Sequence, residues 1–362
     1  MRHNKQAGVT LLGRHHEPRL RVSLASALLA QCLVLPRPAP EARPIHRAEC
    51  VRVEHAQVYL LTRGADAAAP VLLWLHGGPG AAERPLFRYF NSALEHHFVV
   101  VYWDQRGAGR SFDRQADPRR LTVAQHLRDL DAVVDHLRNV LARRRIVLVG
   151  HSWGAALGLL YADAHPEKVS AIIGVNPLIS RRLAEQSEYE FVIEEASRRH
   201  DTRTLERVRT LGSPPFERPR DVLALEALAQ NYGGIFHREP RRFWVMLRVI
   251  ASGFVRPWEI RPIIQGNNVS LEAMNRELLD LDLGRSVTSV EAPVVFFLGR
   301  YDRHVDPRIA AGYLASLQAP VKRVRWFESS AHNVPFEEAA SFNAAIVSEL
   351  NVAMVRNRLP RD

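Results

Sequence analysis

A serine between two glycines is the strongest chemical signal in the sequence. The pattern G-x-S-x-G occurs at Gly150-His151-Ser152-Trp153-Gly154, after the apolar run Ile146–Gly150 and before a segment with helical spacing. A sharp turn between a strand and a helix lifts such a serine hydroxyl above the edge of a sheet, and small flanking residues relieve the crowding. We therefore predict that Ser152 is a nucleophile.

A serine hydroxyl needs a base that removes its proton, and the base needs a carboxylate that fixes its tautomer. Asp302 follows the apolar run Val294–Gly299, and His332 follows the run RVRWF. Both lie on loops after predicted strands, and the order serine, acid, histidine is the one that accompanies this turn. We predict Asp302 as the acid and His332 as the base.

Other side chains can fill the same two roles. Asp306 and Glu328 are rival acids, and His304 is a second histidine beyond the acid candidate. His304 shares the loop of Asp302, however, and choosing it would leave the loop after the next strand without a base. His332 is therefore the preferred base.

Two backbone N–H groups are expected to face the attacked carbonyl, because its oxygen becomes negatively charged and needs donors already in place. The amide of Trp153, directly after the nucleophile, is the first predicted donor. The second is expected from the turn His76-Gly77-Gly78-Pro79-Gly80, with Gly78 as the choice and Gly77 as the alternative.

A further glycine-rich segment, Asp104-Gln105-Arg106-Gly107-Ala108-Gly109, follows the next apolar run. It contains neither the G-K-[ST] nor the G-x-G-x-x-G pattern of a phosphate-binding loop. We expect Asp104 and Arg106 to pair with each other and to brace this turn beside the site.

The elements that must position these residues alternate between strands and helices. Short apolar runs are separated by segments with an apolar residue every three or four positions, which predicts a mostly parallel sheet with helices on both faces. The helices include one capped by Thr122 and one from Trp153 to about His165. The predicted strands, of which the first two form an antiparallel pair, are Cys50–His55, Gln57–Arg63, Val71–His76, Phe98–Trp103, Ile146–Gly150, Ala171–Val175, Val294–Gly299 and Val324–Phe327.

The regular alternation stops after Pro177 and resumes near Pro293. An insertion between two strands of such a sheet has a natural place over the carboxyl ends of the strands, where these folds bind ligands. We predict an α/β core over residues 46–177 and 291–362 and a helical cap over 178–290. Its predicted helices are Glu185–Arg199, Arg203–Leu211, Asp221–Gln230, Arg242–Ile250 and Ser270–Leu281.

The composition is typical of a large globular protein and excludes several other classes. The chain has 362 residues, of which 46% are hydrophobic and 24% charged, and two cysteines. Cys32 and Cys50 are too few for a disulfide scaffold or a cysteine-based zinc site. The net charge is +10, but half of the excess lies in the first 50 residues, so the body carries little charge to attract nucleic acid.

The first 45 residues are predicted to be a separate leader. Val22–Leu35 lacks charge but is shorter than the roughly 20 apolar residues of a membrane span. A basic flank favours a signal peptide, whereas the absence of an A-x-A site and the Gln31-Cys32 pair depart from signal-peptide and lipoprotein patterns. The alternative is a disordered or mis-started extension. We expect a cytoplasmic protein, with export or N-terminal anchoring as the alternative and membrane contact only in the anchored case.

The motifs HGGPG, WDQRGAGRS, GHSWG, GRYD and a final SAH, in this order, resemble those of the α/β-hydrolase superfamily, specifically its proline iminopeptidase-like branch. The resemblance covers about residues 50–350. It implies an α/β-hydrolase fold with a helical cap and neither cofactor nor metal. It also implies the roles of nucleophile, acid and base for Ser152, Asp302 and His332.

The same resemblance implies a carboxylate in the cap that holds the free amino end of a substrate. The segment Arg256-Pro257-Trp258-Glu259 corresponds to the Trp- and Glu-containing segment of proline iminopeptidases, which makes Glu259 the candidate amine anchor. The segments around Asn231–Gly234 and Trp326–Glu338 are more similar to bacterial hydrolases related to those peptidases.

The leading hypothesis is a serine hydrolase that cleaves an ester or amide bond through an acyl-enzyme. Release of an N-terminal proline is one such activity, and cleavage of a small ester, lactone or other amide is the other. The substrate is then a small molecule or a short peptide, and nucleic acid is not a partner. A non-catalytic ligand-binding protein on the same fold is the alternative.

Overall fold

The computed structural model describes residues 42–237 and 242–356, without the side chains of 242–246 and 353–356. The predictions for the leader up to residue 41, with Cys32, lie outside these residues. Cys50 is exposed on the first strand. Within the described ranges, no helix combines the length and the apolar character needed to cross a membrane.

Eight strands form one sheet in the order β1-β2-β4-β3-β5-β6-β7-β8. The strands β1 and β2 pair antiparallel, as do β2 and β4, and the remaining neighbours are parallel. This arrangement confirms the predicted fold class. The strands are β1 (Ile45–Val53), β2 (Ala56–Gly64), β3 (Val71–Leu75), β4 (Val99–Asp104), β5 (Ile146–His151), β6 (Val169–Val175), β7 (Val294–Gly299) and β8 (Lys322–Phe327).

The two faces of the sheet bury separate apolar cores, because successive side chains of a strand point to opposite faces. Leu73 of β3 belongs to one cluster, whereas Leu72 and Trp74 belong to the other. Every residue of β3 to β5 and of β7 is buried, as expected for strands covered on both faces.

Helices outside the insertion cover both faces of the sheet. The side chain of Thr122 accepts a hydrogen bond from the backbone N–H of Gln125 at 3.0 Å and thereby caps α2, as predicted. These helices are α1 (Arg84–Asn91), α2 (Val123–Val140), α3 (Trp153–Ala164), α10 (Pro307–Ser316), α11 (Val334–Glu337) and α12 (Ala339–Arg356). Short 3-10 turns span Ser92–His96, Gly109–Ser111, Pro118–Arg120 and Pro166–Lys168.

A run of helices lies between β6 and β7, where the sequence predicted an insertion. The helices are α4 (Arg181–Arg198), α5 (Thr202–Leu211), α6 (Pro219–Asn231), α7 (Arg242–Ala251), α8 (Pro257–Leu279) and α9 (Leu283–Ser286). The helices α4 to α6 contribute to a small apolar cluster of their own, around Val192, Val208 and Leu225.

The main difference from the predicted elements is the start of α8, which begins at Pro257 rather than at Ser270. Proline and glycine are unfavourable inside a helix, so Pro262 and Gly266 argue against a helix in this part of the sequence. Pro262 lies inside the helix, in its second turn, and Gly266 packs so tightly on Gly107 that a Cβ atom there would overlap the Gly107 carbonyl. Tertiary packing therefore stabilises the first half of α8, although the helix propensity of its residues is low.

Candidate active site

Ser152 occupies the sharp turn between β5 and α3. Its backbone angles are φ 53° and ψ −116°, a conformation that a non-glycine residue rarely adopts and that costs energy. Gly150 and Gly154 allow this turn, because a Cβ atom on Gly150 would lie 2.5 Å from the Gly154 carbonyl and one on Gly154 would overlap the carbonyl of Leu75. The serine hydroxyl is thus presented at the amino end of a buried helix.

The loops after β7 and β8 bring Asp302 and His332 together. His332 Nδ1 lies 2.8 Å from Asp302 Oδ2. Asp302 Oδ1 accepts hydrogen bonds from the backbone N–H groups of His304 and Val305, at 2.9 and 3.1 Å. Burial acts to raise the pKa of Asp302, but the charge of His332 and these hydrogen bonds hold it below its ordinary value. The carboxylate is therefore oriented with one oxygen toward the imidazole.

The rival acids have other partners. Asp306 caps α10 and pairs with Arg308 at 2.5 Å and with the hydroxyl of Ser187 at 2.8 Å. Glu328 pairs with Arg300 on the exposed surface. Neither carboxylate contacts the ring of His332.

The loop that carries His332 is fixed by bonds to its backbone. The backbone carbonyl of His332 accepts a hydrogen bond from Asn176 Nδ2 at 2.7 Å and lies 3.0 Å from His151 Nε2. Glu337 Oε1 accepts the N–H groups of Ala331 and Asn333, on either side of the histidine, at 3.0 and 3.2 Å. These contacts leave the imidazole little freedom to move away from Asp302.

The turn predicted to complete the oxyanion hole adopts a backbone that favours glycine. Gly78 has φ +112°, and a Cβ atom on it would lie 2.6 Å from the backbone nitrogen of Ala81. Gln105 ties this turn to α3, since it donates to the His76 carbonyl at 2.8 Å and accepts from the indole N–H of Trp153 at 3.2 Å. The roles of the Gly78 and Trp153 amides remain predictions.

The expected pair between Asp104 and Arg106 is wrong. Arg106 binds Asp129 on α2, with distances of 2.6 and 2.7 Å. Asp104 instead binds Arg84 on α1 at 3.1 Å and accepts the backbone N–H of Arg110 at 3.0 Å. The two charges meet partners on different helices, so the turn is braced from two sides rather than by an internal pair.

The role of Glu259 as anchor of a substrate amine remains a prediction, and the structure shows its carboxylate bound within the protein. Its Oε1 accepts Arg84 at 2.5 Å and Arg110 at 2.6 Å, and its Oε2 accepts the backbone N–H of Arg256 at 2.8 Å. Burial acts to raise the pKa of Glu259, but these bonds and charges hold it below its ordinary value. Glu259 does not line the cavity that contains Ser152. It neutralises two arginines and caps the start of α8.

A cavity of about 280 Å³ joins the predicted catalytic residues to the insertion. Ser152, His332, Gly77 and Gly78 line one part of its wall. Apolar side chains such as Leu178, Leu271 and Phe336 line another part. The charged or titratable residues of the wall come from the turn before α1, from the insertion and from the loop of Asp302: Glu83, Arg181, Glu185, Glu188, Glu226 and His304. A substrate at Ser152 would therefore lie among carboxylates.

Two of these carboxylates flank His304. Its Nδ1 lies 3.1 Å from Glu188 Oε1, and its Nε2 lies 3.8 Å from Glu226 Oε1. Burial acts to lower the pKa of His304, but the charges of Glu188 and Glu226 raise it to about 9. Burial raises the pKa of Glu188 to about 7, against the effect of His304. His304 is therefore protonated at neutral pH, and the pKa of Glu188 lies close to that pH.

A second histidine pairs with Glu83. His151 Nδ1 lies 2.7 Å from Glu83 Oε1. Burial acts to lower the pKa of His151, but the charge and hydrogen bond of Glu83 raise it above its ordinary value. By contrast, burial lowers the pKa of His332 to about 4, with Asp302 acting in the opposite direction. His332 is therefore neutral at pH 7 and can accept a proton.

These flanking pairs were missed in the sequence, where His151 and His304 appeared only as neighbours of the nucleophile and the acid. Arg181, Glu185 and Glu188 follow one another at steps of four and three residues, which places them on one helix face. That spacing was the one signal available. The pairing of Glu83 with His151 joins positions 68 residues apart and has no local signature.

Comparison with known proteins gives the family to which this geometry is similar. The family model described as "alpha/beta hydrolase fold" matches residues 70–339. The chain is 27% identical over 304 residues to a probable aminopeptidase of Bacillus subtilis, YbaC, covering 84% of this chain and 96% of the relative. A proline iminopeptidase of Neisseria gonorrhoeae is 35% identical over 132 residues, which are 36% of this chain and 40% of the relative.

Solved structures show the same fold. A proline iminopeptidase-related protein of Thermus thermophilus superposes with a TM-score of 0.63 at 21% identity, covering 86% of this chain and 98% of that one. The proline iminopeptidase of Mycobacterium smegmatis gives a TM-score of 0.63 at 21% identity, with coverages of 85% and 99%. These relatives and structures confirm the resemblance drawn from the motifs.

Proposed function

The chain belongs to the alpha/beta hydrolase fold family, and on that premise we propose that it is a serine hydrolase that releases the N-terminal residue, such as proline, from short peptides. One observation carries this proposal. Ser152, in its strained turn, lines the same cavity as His332, whose ring is bonded to buried Asp302.

In the proposed mechanism, Ser152 Oγ attacks the scissile carbonyl while His332 takes the serine proton. Nε2 accepts this proton, because Nδ1 is bonded to Asp302. The amides of Gly78 and Trp153 stabilise the oxyanion. His332 then gives its proton to the leaving amine, leaving an acyl-enzyme on Ser152. A water molecule, deprotonated by His332, hydrolyses that ester and releases the N-terminal residue as the free acid.

The charge of the cavity supports an aminopeptidase over a simple esterase. Four carboxylates line it, those of Glu83, Glu185, Glu188 and Glu226. The Glu185 carboxylate binds Arg181 at 2.7 Å and the backbone N–H of Phe216 at 2.9 Å, so it has little capacity for a ligand. Glu226 is partly exposed, and its contact with His304 is a loose 3.8 Å. We propose Glu226, in place of Glu259, as the group that binds a substrate ammonium.

The test is a paired assay of the full chain and of Ser152→Ala on proline 4-nitroanilide and on 4-nitrophenyl esters of short and medium acids. We expect hydrolysis of the anilide by the wild type and none above background by the variant, with an unchanged circular dichroism spectrum. Substantial activity in a purified, folded Ser152→Ala protein would refute the nucleophile. Ester cleavage without anilide cleavage would keep the serine hydrolase and refute the peptidase.

Labelling with a fluorophosphonate separates an enzyme from a ligand-binding protein on the same fold. An activated serine reacts with this probe, so we expect one label, located on Ser152 by peptide mass mapping. A chain that binds substrate analogues but takes up no label at Ser152 would be a binding protein.

A further inference from the structure

The imidazole of His332 lies between two other imidazoles. Its ring centroid is 4.7 Å from that of His151 and 4.8 Å from that of His304. His151 is the residue before the nucleophile, and His304 follows the acid by two positions. The three rings therefore come from the end of β5 and from the loops after β7 and β8, which meet at the carboxyl ends of the strands.

Each flanking histidine has bonding partners that suit a cation. His151 faces an acceptor at both nitrogens, the Glu83 carboxylate at 2.7 Å and the His332 carbonyl at 3.0 Å. A neutral imidazole has one N–H and can donate to only one of them. His304 lies between the carboxylates of Glu188 and Glu226. Burial without such partners would favour the neutral form of both rings.

Other titratable groups also face the cluster, and Asp302 acts against this pattern at His332 itself, since its charge and hydrogen bond act to raise the pKa of that ring. His76 lies near His151 and is kept neutral because burial lowers its pKa. Asp302 faces His332, and its charge also acts on His151 and His304. Glu337 holds the backbone beside His332, and burial raises its pKa to about 7. Arg181 acts on Glu188 from the same helix.

We propose that the Glu83–His151 and Glu188–His304 pairs are positioning groups that hold positive charge on both sides of His332 and so keep its ring in the neutral, proton-accepting form. A third positive charge between two others is disfavoured. The charge arrangement is argued from the geometry, whereas its effect on the reaction rate rests on the proposed function. We expect His332 to stay active as a base under mildly acidic conditions, with Asp302 stabilising the imidazolium that forms transiently.

The kinetic test compares kcat/KM between pH 4 and pH 9 for the wild type, His304→Asn and Glu188→Gln. We expect the acidic limb of the profile to move to higher pH, by roughly one unit for His304→Asn and by less for Glu188→Gln, which leaves Glu226 in place. His165→Gln is the matched control, since His165 ends α3 about 18 Å from the nucleophile. A limb that stays at the wild-type pH in both folded variants would overturn the proposal, because structural damage alone lowers the plateau without moving the limb.

A second measurement does not depend on activity. In the full-length Ser152→Ala protein labelled with ¹⁵N-histidine, nuclear magnetic resonance follows the protonation of each ring directly. We expect His332 to remain neutral down to about pH 5, and to protonate roughly one unit higher once His304→Asn is added. An unchanged His332 titration would overturn the charge arrangement even if no substrate is found. If the wild type hydrolyses no substrate but the His332 titration shifts as expected, only the proposed function is refuted.

Discussion

At the scale of single residues, the carboxylates of this protein differ in the partners that they meet. Asp302 has one oxygen bonded to two backbone N–H groups and the other to His332. Glu259 has both oxygens bonded within the protein. Among the residues that the structure describes, the ion-pair partner of Glu226 is a histidine at 3.8 Å, and Glu226 faces the cavity. The availability of an oxygen, rather than the residue type, distinguishes the predicted acid, the buried structural charge and the proposed substrate-binding group.

Glu226→Gln and Glu259→Gln form a matched pair for substrate recognition. We expect Glu226→Gln to raise KM for proline 4-nitroanilide at least about tenfold, because a hydrogen bond to a charged group contributes roughly 1.5–3 kcal/mol. Hydrolysis of an uncharged ester should change little. Glu259→Gln should lower the melting temperature, since Arg84 loses an ionised partner in a buried site, while KM stays near the wild-type value.

Steady-state kinetics with both substrates and thermal unfolding of each variant check this pair. A KM effect confined to Glu259→Gln would restore Glu259 as the amine anchor. An equal rise of KM for the anilide and the uncharged ester in Glu226→Gln would mean that the cavity has lost its shape rather than a charge.

At the scale of elements, the buried strands were predictable because nearly every position in them is apolar. The bounds of β7 agree with the prediction, whereas β1 begins at Ile45 rather than at Cys50. β1 is an edge strand with a largely exposed first half, and an exposed edge imposes no apolar pattern on the sequence. The start of α8 was missed for a related reason: Gly266 is specified by its contact with Gly107, which lies far away in the chain.

This contact makes Gly266→Ala a prediction with a definite sign. In an ordinary helix interior, alanine is about 1 kcal/mol more favourable than glycine. At Gly266 the added Cβ would overlap the Gly107 carbonyl, so we expect a lower melting temperature despite the better helix former. Asn268→Ala, at an exposed position in the same helix, should raise the melting temperature slightly.

Differential scanning calorimetry of both variants measures the two effects. A Gly266→Ala protein at least as stable as the wild type would mean that α8 can move away from Gly107 without cost. A drop in both variants would instead point to a general loss of helix stability.

At the scale of the whole molecule, the sequence predicted the nucleophile, acid and base but not the charges around them. Ser152, Asp302 and His332 each follow a strand and a short motif, so chain order indicates their roles. Glu83 and Glu188 face their histidines only because α1 and α4 pack beside the sheet edge, and no local pattern records a contact across 68 or 116 residues.

The same buried charges predict how stability of the fold depends on pH. The pKa of His304 is raised to about 9 from an ordinary 6.5, and that of His151 is also raised. A raised pKa means that the folded state binds more protons than the unfolded one, so the stabilisation is complete below pH 6.5 and is lost as pH rises through the folded pKa. His332, with a pKa of about 4, has the opposite effect: it lowers the stability of the fold as pH falls from 6.5 to 4.

We therefore expect a melting temperature a few degrees lower at pH 9.5 than at pH 7, and a smaller decrease in His304→Asn. Calorimetry at both pH values checks this difference. An identical decrease in the wild type and the variant would assign the alkaline loss to other groups.

The position of the insertion between β6 and β7 has a consequence for synthesis of the chain. At about 5–20 residues per second, His332 leaves the ribosome roughly 10–40 s after Ser152, and the helices α4 to α9 are made in between. A nascent chain therefore carries its predicted nucleophile and most of its cavity wall well before it carries the predicted base. Under the proposed function, we expect any product that stops short of β8 to be inactive, with hydrolysis beginning only once the last strand and the loop after it have joined the fold.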